Sequence, residues 1–360
     1  MSEKCNRLSR LRLTLNQTAQ EISDDYCEGL ASKYCYTYVD EQKDIEQISK
    51  CAVINCDVHI TSWDDTVIAN STHPEYTVID LGNISSINGD LNLILDNGNV
   101  NFTKIIANEL KEIKGDFRIS GLKKLERIRV PKLQQVGSQE ADSVLNFTLQ
   151  DLPNLQSIDI APGGIELLSN STYWRRPQLS IINTGIQKID FLNSIGSGDA
   201  SGRPSYENFT VTGNPALTRI DLPRWLSGME LMLIRENHPN LTVAFNNLQH
   251  VWEMEINHAQ SILLPRLTNA THLNIINNTM ESLNMSKLQR VIGNITISQN
   301  SRLSELAMES LTSLGYFEGR LSPAMGALRV ENNPFLLNLS GFPNVANVAY
   351  TILLKGNFTK

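Results

Sequence analysis

LPRLTNATHLNIINNTMESLNMSKLQRVIGNITISQNSRL, residues Leu264–Leu303, contains one short unit twice. Leu273-Asn-Ile275 runs into Asn277-Asn278, and Ile295-Thr-Ile297 runs into Gln299-Asn300. In each copy a short alternating strand meets a polar, Asn-rich turn and then a second apolar run, Met280-Glu-Ser-Leu283 or Leu303-Ser-Glu-Leu306. Apolar residues at alternate positions point to one face, so a unit of this kind buries its face only by stacking on its neighbours. The same unit begins at Asp57-Val-His-Ile60 and recurs near Leu91, Phe117, Phe147, Leu179, Phe209, Leu231, Met254, Leu273, Ile295, Leu328 and Ile352. Spacings of about nineteen to thirty-three residues suit solenoid coils. The turns fall at Asn183, Gly213-Asn214, Asn237, Asn277, Asn300, Asn332-Asn333 and Gly356-Asn357, residue types that tolerate the left-handed region; stacked Asn side chains are expected to pair along the coil axis. The pattern predicts an all-β, right-handed parallel β-solenoid over residues 35–360, with about twelve coils. It stops on a strand, as in a truncated chain. Residues 1–34 show no repeat and read as unstructured or partly helical, with Gln17–Leu30 as the helical stretch. Longer inserts at 61–77, 161–176, 194–206 and 309–323 read as flank loops.

Composition excludes several function classes. A net charge of −7 and few aromatics argue against a nucleic-acid partner, which requires a basic face. No apolar run is long enough for a transmembrane helix. The segment Met1–Gln20 lacks the apolar core of a signal peptide, and Leu353–Lys360 lacks the hydrophobic tail of a lipid-anchor signal. Two features nevertheless indicate a secreted protein. All five cysteines, Cys5, Cys27, Cys35, Cys51 and Cys56, lie near the N-terminus, which suits a disulfide-bonded cap. There are also fourteen Asn-x-Ser/Thr sequons, where chance pairing gives roughly five. They stand at Asn16, Asn70, Asn83, Asn101, Asn146, Asn170, Asn208, Asn240, Asn269, Asn277, Asn284, Asn294, Asn338 and Asn357. Asn146-Phe-Thr148, Asn208-Phe-Thr210 and Asn294-Ile-Thr296 lie on strands, so alternation sends each Asn and Thr outward together.

Cys51-Ala-Val-Ile-Asn-Cys56-Asp-Val-His-Ile60 resembles the opening of a receptor L domain, a leucine-rich-repeat-like solenoid. Val78–Leu93, Leu152-Pro-Asn-Leu155, Ile182–Ile186, Gly213-Asn-Pro-Ala-Leu217 and Val330–Pro334 through Gly341–Asn344 to Gly356–Thr359 are similar to the fungal GPI-anchored cell-wall organisation and sporulation-specific proteins built on that domain. The resemblance runs from about Cys35 to the end. It implies a glycosylated, non-enzymatic protein of the outer cell surface and wall, active in wall integrity or ascospore-wall formation. Its implied partners are wall polysaccharide or wall mannoproteins, and its membrane link is a GPI anchor that this stretch does not carry. Cys35 and Cys51 match the family's N-terminal pair. That bridge would close a loop of about sixteen residues, worth about 3 kcal/mol in the chain-entropy model. Cys27 and Cys56 are a second candidate pair, with Cys5 left free; Cys56 stands where the family often has Gly.

Other readings find less support. A β-solenoid polysaccharide hydrolase needs carboxylates placed on neighbouring coils. Asp24-Asp25 and Asp64-Asp65 are adjacent in sequence and fall outside the strands, Asn183-Thr184 is followed by Gly185 rather than Asp, and no Gly-His-Gly occurs. The histidines, His59, His73, His238, His250, His258 and His272, lack metal-ligand spacing, and no cofactor fingerprint appears. Trp63, Trp174, Trp225 and Trp252 are read as packing under loops rather than stacking on sugar rings. A receptor-like ectodomain that binds a protein ligand is the alternative function.

Overall fold

The computed structural model describes residues 36–38, 42–60, 77–95, 101–138, 145–169, 177–191, 205–221, 227–315, 326–345, 347–348 and 351–358. The chain divides into two compact units, residues 1–175 and 176–360. The described residues are mostly β, with one short helix, and strands stack in parallel sheets in the manner of a solenoid. A strand lies at each of the twelve positions where the alternating runs predict one.

In the first unit each coil crosses three sheets in the same order. One contains Val53–Ile54, Ser86–Ile87, Glu112–Ile113, Gln135–Ser138 and Glu166–Ser169. The next contains Tyr36–Tyr38, Asp57–Ile60, Leu91–Ile94, Phe117–Ser120 and Asn146–Leu152. The third contains Val78–Asp80, Lys104–Ile106, Arg127–Val130 and Ser157–Ile160. Like residues stack on like through the parallel register. Val58, Leu91, Phe117 and Phe147 form one buried row, and Ile60, Leu93, Ile119 and Leu149 the next. The rings of Phe117 and Phe147 stack with centroids 5.1 Å apart. The first sheet contributes Ile54, Ile87, Ile113, Val136 and Leu167, all buried. Each such side chain contributes about 1.5–3 kcal/mol on burial, and the rows from these sheets build a core that is shared from coil to coil.

The helix Gln42–Ile48 precedes the first full coil and buries Ile45 and Ile48. The residue after it, Ser49, accepts the Asn83 amide through its carbonyl oxygen at 2.8 Å. Sequence reading missed this helix because QKDIEQI carries only two apolar residues. The helical stretch expected at Gln17–Leu30 lies outside the described residues.

In the second unit the sheet strands are longer. Ser205–Thr212, Gly228–Arg235, His250–Asn257 and Asn269–Ile276 span two faces of the coil in one strand, while Gln178–Thr184 pairs only with the later part of Ser205–Thr212. Asn269–Ile276 shows why: its first two residues pair with Arg290–Val291 and its last four with Ile295–Ser298. The strand therefore turns a corner midway; here Thr271 is buried and His272 faces out, whereas in two neighbouring strands two consecutive residues point outward at the corner. In Gly228–Arg235 these are Glu230 and Leu231, between buried Met229 and Met232; in His250–Asn257 they are Trp252 and Glu253, between buried Val251 and Met254. A further sheet, Arg219–Asp221, Leu241–Ala244, Ala259–Leu263, Ser282–Asn284 and Glu305–Ala307, forms from the second apolar run of each unit. Coil length varies widely without breaking register: Met254 pairs with Leu273 and Ile295 with Leu328.

The expected asparagine stacking is present and buried. Asn214 donates Nδ2 to Asn237 Oδ1 at 2.9 Å and to Ile181 O at 3.0 Å, while its own Oδ1 accepts the Thr184 amide and hydroxyl. Asn278, Asn300 and Asn333 repeat the pattern. Between the two runs Ala259 takes the position, and its amide donates to Asn278 Oδ1 at 2.7 Å. The residue before each stacked position has positive φ: Asn183, Gly213, Glu236, His258, Asn277, Gln299 and Asn332. That left-handed residue turns the chain so that the next side chain enters the core. In the first unit Leu122 and Leu152 follow left-handed Gly121 and Asp151, so an apolar ladder takes the place of the polar one.

Candidate functional site

The surface features with chemical content lie on the outward side of the long sheet strands. Alternation holds at all three strand sequons: Phe147, Phe209 and Ile295 are buried, whereas the flanking Asn and Thr residues are partly exposed. Register in the second unit places Asn208, Leu231, Glu253, His272 and Asn294 in a single outward row. Asn208 and Asn294 are four strands apart, about 19 Å at ordinary strand spacing.

Eleven of the fourteen sequons lie among the described residues, and none of their asparagines is buried. Asn83, Asn240, Asn277, Asn284, Asn338 and Asn357 are exposed; Asn101, Asn146, Asn208, Asn269 and Asn294 are half-buried. Several are held in fixed orientations. Asn338 Oδ1 accepts from the Ser340 hydroxyl at 2.7 Å, and Asn284 Oδ1 from the Ser286 amide at 3.0 Å, local turns made from the sequon itself. Asn269 Nδ2 lies 3.1 Å from His250 Nδ1, and Asn277 Nδ2 lies 2.7 Å from His258 Nε2. Asn16, Asn70 and Asn170 lie outside the described residues.

In the first unit the corresponding row is acidic. Asp57 Oδ1 accepts the Asp90 amide, Asp90 Oδ1 accepts the Asp116 amide, and Asp116 Oδ1 accepts the Asn146 amide, all within 2.7–2.8 Å. The carboxylates thus serve as backbone acceptors at the head of each strand. Gly89 and Gly115 leave room for them, because an added Cβ at either would collide with Asp57 or Asp90. Burial raises the Asp116 carboxyl above the usual carboxylate range, and neighbouring Asp90 pushes the same way. The Asn146 hydrogen bonds and Arg118 oppose the rise without cancelling it. This row ends on a sequon: Asn146 Nδ2 donates to Asp116 Oδ2 at 3.0 Å.

The remaining candidates are dispersed. His59 faces Asn92 at 3.5 Å, His238 Nδ1 accepts the Asn240 amide at 3.0 Å, and His272 Nδ1 accepts the Asn294 amide at 3.2 Å. Among the described residues no group of three or more His, Cys, Asp or Glu side chains is placed to hold a metal. No helix among them is long and apolar enough to cross a membrane. Cys51 and Cys56 are buried and both sulfurs are in disulfides. Their expected partners Cys35 and Cys27 lie outside the described residues, as do Cys5, His73, Asp24-Asp25, Asp64-Asp65, Trp63, Trp174 and Trp225. Trp252 departs from the expectation that it packs under a loop. It is 63% exposed, because it sits at the outward corner of its strand.

No protein-family model matches the chain. It is 24% identical over 257 residues to sporulation-specific protein 2 of Saccharomyces cerevisiae, covering 70% of this chain and 47% of that protein. It is 25% identical over 279 residues to protein ecm33 of Aspergillus fumigatus, covering 77% and 59%. It is 23% identical over 269 residues to cell wall protein ecm33 of Schizosaccharomyces pombe, covering 74% and 55%. The chain thus spans about half the length of the curated relatives it matches, of which one is named for sporulation and one for the cell wall. Over most of its length, the chain is a distant homologue of the fungal sporulation-specific and ecm33 cell-wall proteins.

Proposed function

We propose that this protein is a secreted, N-glycosylated, non-enzymatic component of the fungal cell surface that contributes to wall organisation, in vegetative cells or in the ascospore wall. The single observation that carries the reading is the placement of the sequons: none of the eleven described asparagines is buried, and the strand sequons face outward. Homology to wall and sporulation proteins supports the same location. In this reading the fold is a right-handed solenoid, capped at its N-terminus by Cys35–Cys51 and Cys27–Cys56 bridges. The full-length protein is tethered by a GPI anchor, and its contacts are wall polysaccharide and mannoproteins. The surface chemistry suits a scaffold: an ordered polar ladder inside, and hydroxyls, amides and isolated ion pairs outside. Fractionation of the source cells tests this. The protein is expected in the washed wall fraction, released by wall-degrading glucanase or by phospholipase that cleaves GPI anchors. Recovery in the cytosolic fraction, with none bound to walls, would overturn the reading.

A further inference from the structure

We propose that Trp252, Glu253 and His272 form a saccharide subsite for a β-linked glucopyranose chain. This rests on the wall reading and names the chemistry of one contact within it. The three side chains are brought together by the strand corner. Trp252 and Glu253 are the two consecutive outward residues between buried Val251 and Met254, and register pairs Glu253 with His272 on the next coil.

Each group has a defined chemical role. Trp252 is 63% exposed and so contributes little packing to the core. An indole left open at a surface offers an apolar plate with a polar rim, the kind of side chain that anchors interfaces. Glu253 is exposed beside it and supplies a hydrogen-bond acceptor. His272 Nδ1 accepts the Asn294 amide at 3.2 Å, which assigns the proton to Nε2 and makes that nitrogen a donor. Its ring is also held in place from the following coil. An added Cβ at Gly293 would overlap the imidazole, so glycine there leaves the space the ring occupies.

A plate next in sequence to an acceptor, and a donor paired with that acceptor across the coils, match a pyranose ring. Every substituent of β-glucopyranose is equatorial, so both ring faces present C–H groups that can lie on the indole, while hydroxyls at the edge reach Glu253 and His272. An axial hydroxyl, as in mannose, interrupts one of those faces. The site is a corner rather than a pocket, so it favours an internal stretch of a chain over a free end. One plate and two hydrogen bonds on an open surface correspond to weak binding, with Kd on the order of 1 mM.

The test is titration of the full chain, with and without enzymatic deglycosylation, using laminarihexaose, chitohexaose and α-mannohexaose. Tryptophan emission and calorimetry are the readouts. The β-linked oligomers are expected to bind and to shift the emission, and Trp252→Ala should weaken binding at least tenfold while leaving the melting temperature unchanged. Glu253→Gln, which keeps an acceptor, should lose only a few-fold. Equal affinity in Trp252→Ala, no binding to either β-linked oligomer, or a preference for α-mannohexaose would each overturn the proposal. Binding that appears only after deglycosylation would also overturn it for the native protein, since a glycan at Asn269, beside the site, would then cover the ring. Failure of the subsite is distinguishable from failure of the wall reading. Trp252→Ala protein that still fractionates with cell walls, with oligosaccharide affinity unchanged, removes only the subsite.

Discussion

Asn300→Ala is expected to destabilise the second unit by about 3–5 kcal/mol, enough to lower its melting temperature by roughly 10 °C. Asn300 is fully buried and makes four side-chain hydrogen bonds. Its Oδ1 accepts the Asn278 amide at 3.0 Å and Asn278 Nδ2 at 3.1 Å; its Nδ2 donates to Ile275 O at 3.0 Å and Asn333 Oδ1 at 3.1 Å. Alanine strands the Asn278 amide and takes one partner each from Asn278 Nδ2, Ile275 O and Asn333 Oδ1 in a buried place, where each unmade bond costs about 1–3 kcal/mol. Leucine is no remedy, even though the first unit uses Leu122 and Leu152 at the matching position. Those leucines stack on an apolar ladder, whereas leucine here would take from Asn278 the acceptor of its backbone amide and of one Nδ2 bond, and from Asn333 Oδ1 one of its two donors. Aspartate keeps an acceptor but loses the donor and buries a charge, so it should be at least as damaging. Gln299→Gly is the contrasting change. It relieves a non-glycine residue at φ 59° and should be neutral or mildly stabilising. Thermal or urea unfolding followed by circular dichroism measures all four variants. An Asn300→Ala cost below 1 kcal/mol would mean that the ladder is incidental.

Gly137→Ala is expected to cost at least about 3 kcal/mol in the first unit, through backbone strain and overpacking together. Gly137 lies in the strand Gln135–Ser138 at φ 91°, a conformation other residues rarely adopt. Its register partner on the next coil is Leu168, and an added Cβ would fall inside the Leu168 carbonyl oxygen and 2.7 Å from Leu145 Cδ2. Carbonyls on a stacked coil cannot swing aside without breaking their own ladder bonds. Gly163→Ala, where an added Cβ meets nothing within 4 Å, is the control and should change stability little. Comparable losses at both positions would contradict the close coil-on-coil approach.

The repeat was readable because its inward rows are nearly pure. Leu179, Phe209, Met254, Leu273, Ile295 and Leu328 occupy one buried register row and each begins or joins an expected unit, but Leu231, expected inward, faces out and Met232 takes its place, and Ile352 at the end of the row is exposed. The flanking sheets were harder to read. Strands such as Ser86–Ile87 and Glu112–Ile113 are two residues long, too short for a period of two to declare itself. The strand Tyr36–Tyr38 lies outside the repeat pattern and was missed for that reason. Asn turns were legible by residue type, but sequence did not separate the left-handed Asn277 from the stacked Asn278. Only the ladder geometry assigns those roles. Outward placement of Asn146, Asn208 and Asn294 followed from alternation alone. The exposure of Trp252 did not, because it depends on a strand that turns a corner, and alternation fails at that point. Its only sequence signal is the break in the pattern Val251-Trp-Glu-Met254, with two outward residues where one is expected.

Glycopeptide mapping of the native protein from its source cells, with enzymatic deglycosylation in heavy-oxygen water and with disulfides kept intact, tests the central claim most directly. The expected result is heavy-oxygen aspartate at exposed sequons such as Asn240, Asn284 and Asn338, together with disulfide-linked peptides containing Cys51 and Cys56. Unmodified asparagine at every sequon, with Cys51 and Cys56 recovered as free thiols, would place the protein in a reducing compartment and contradict its assignment to the cell surface.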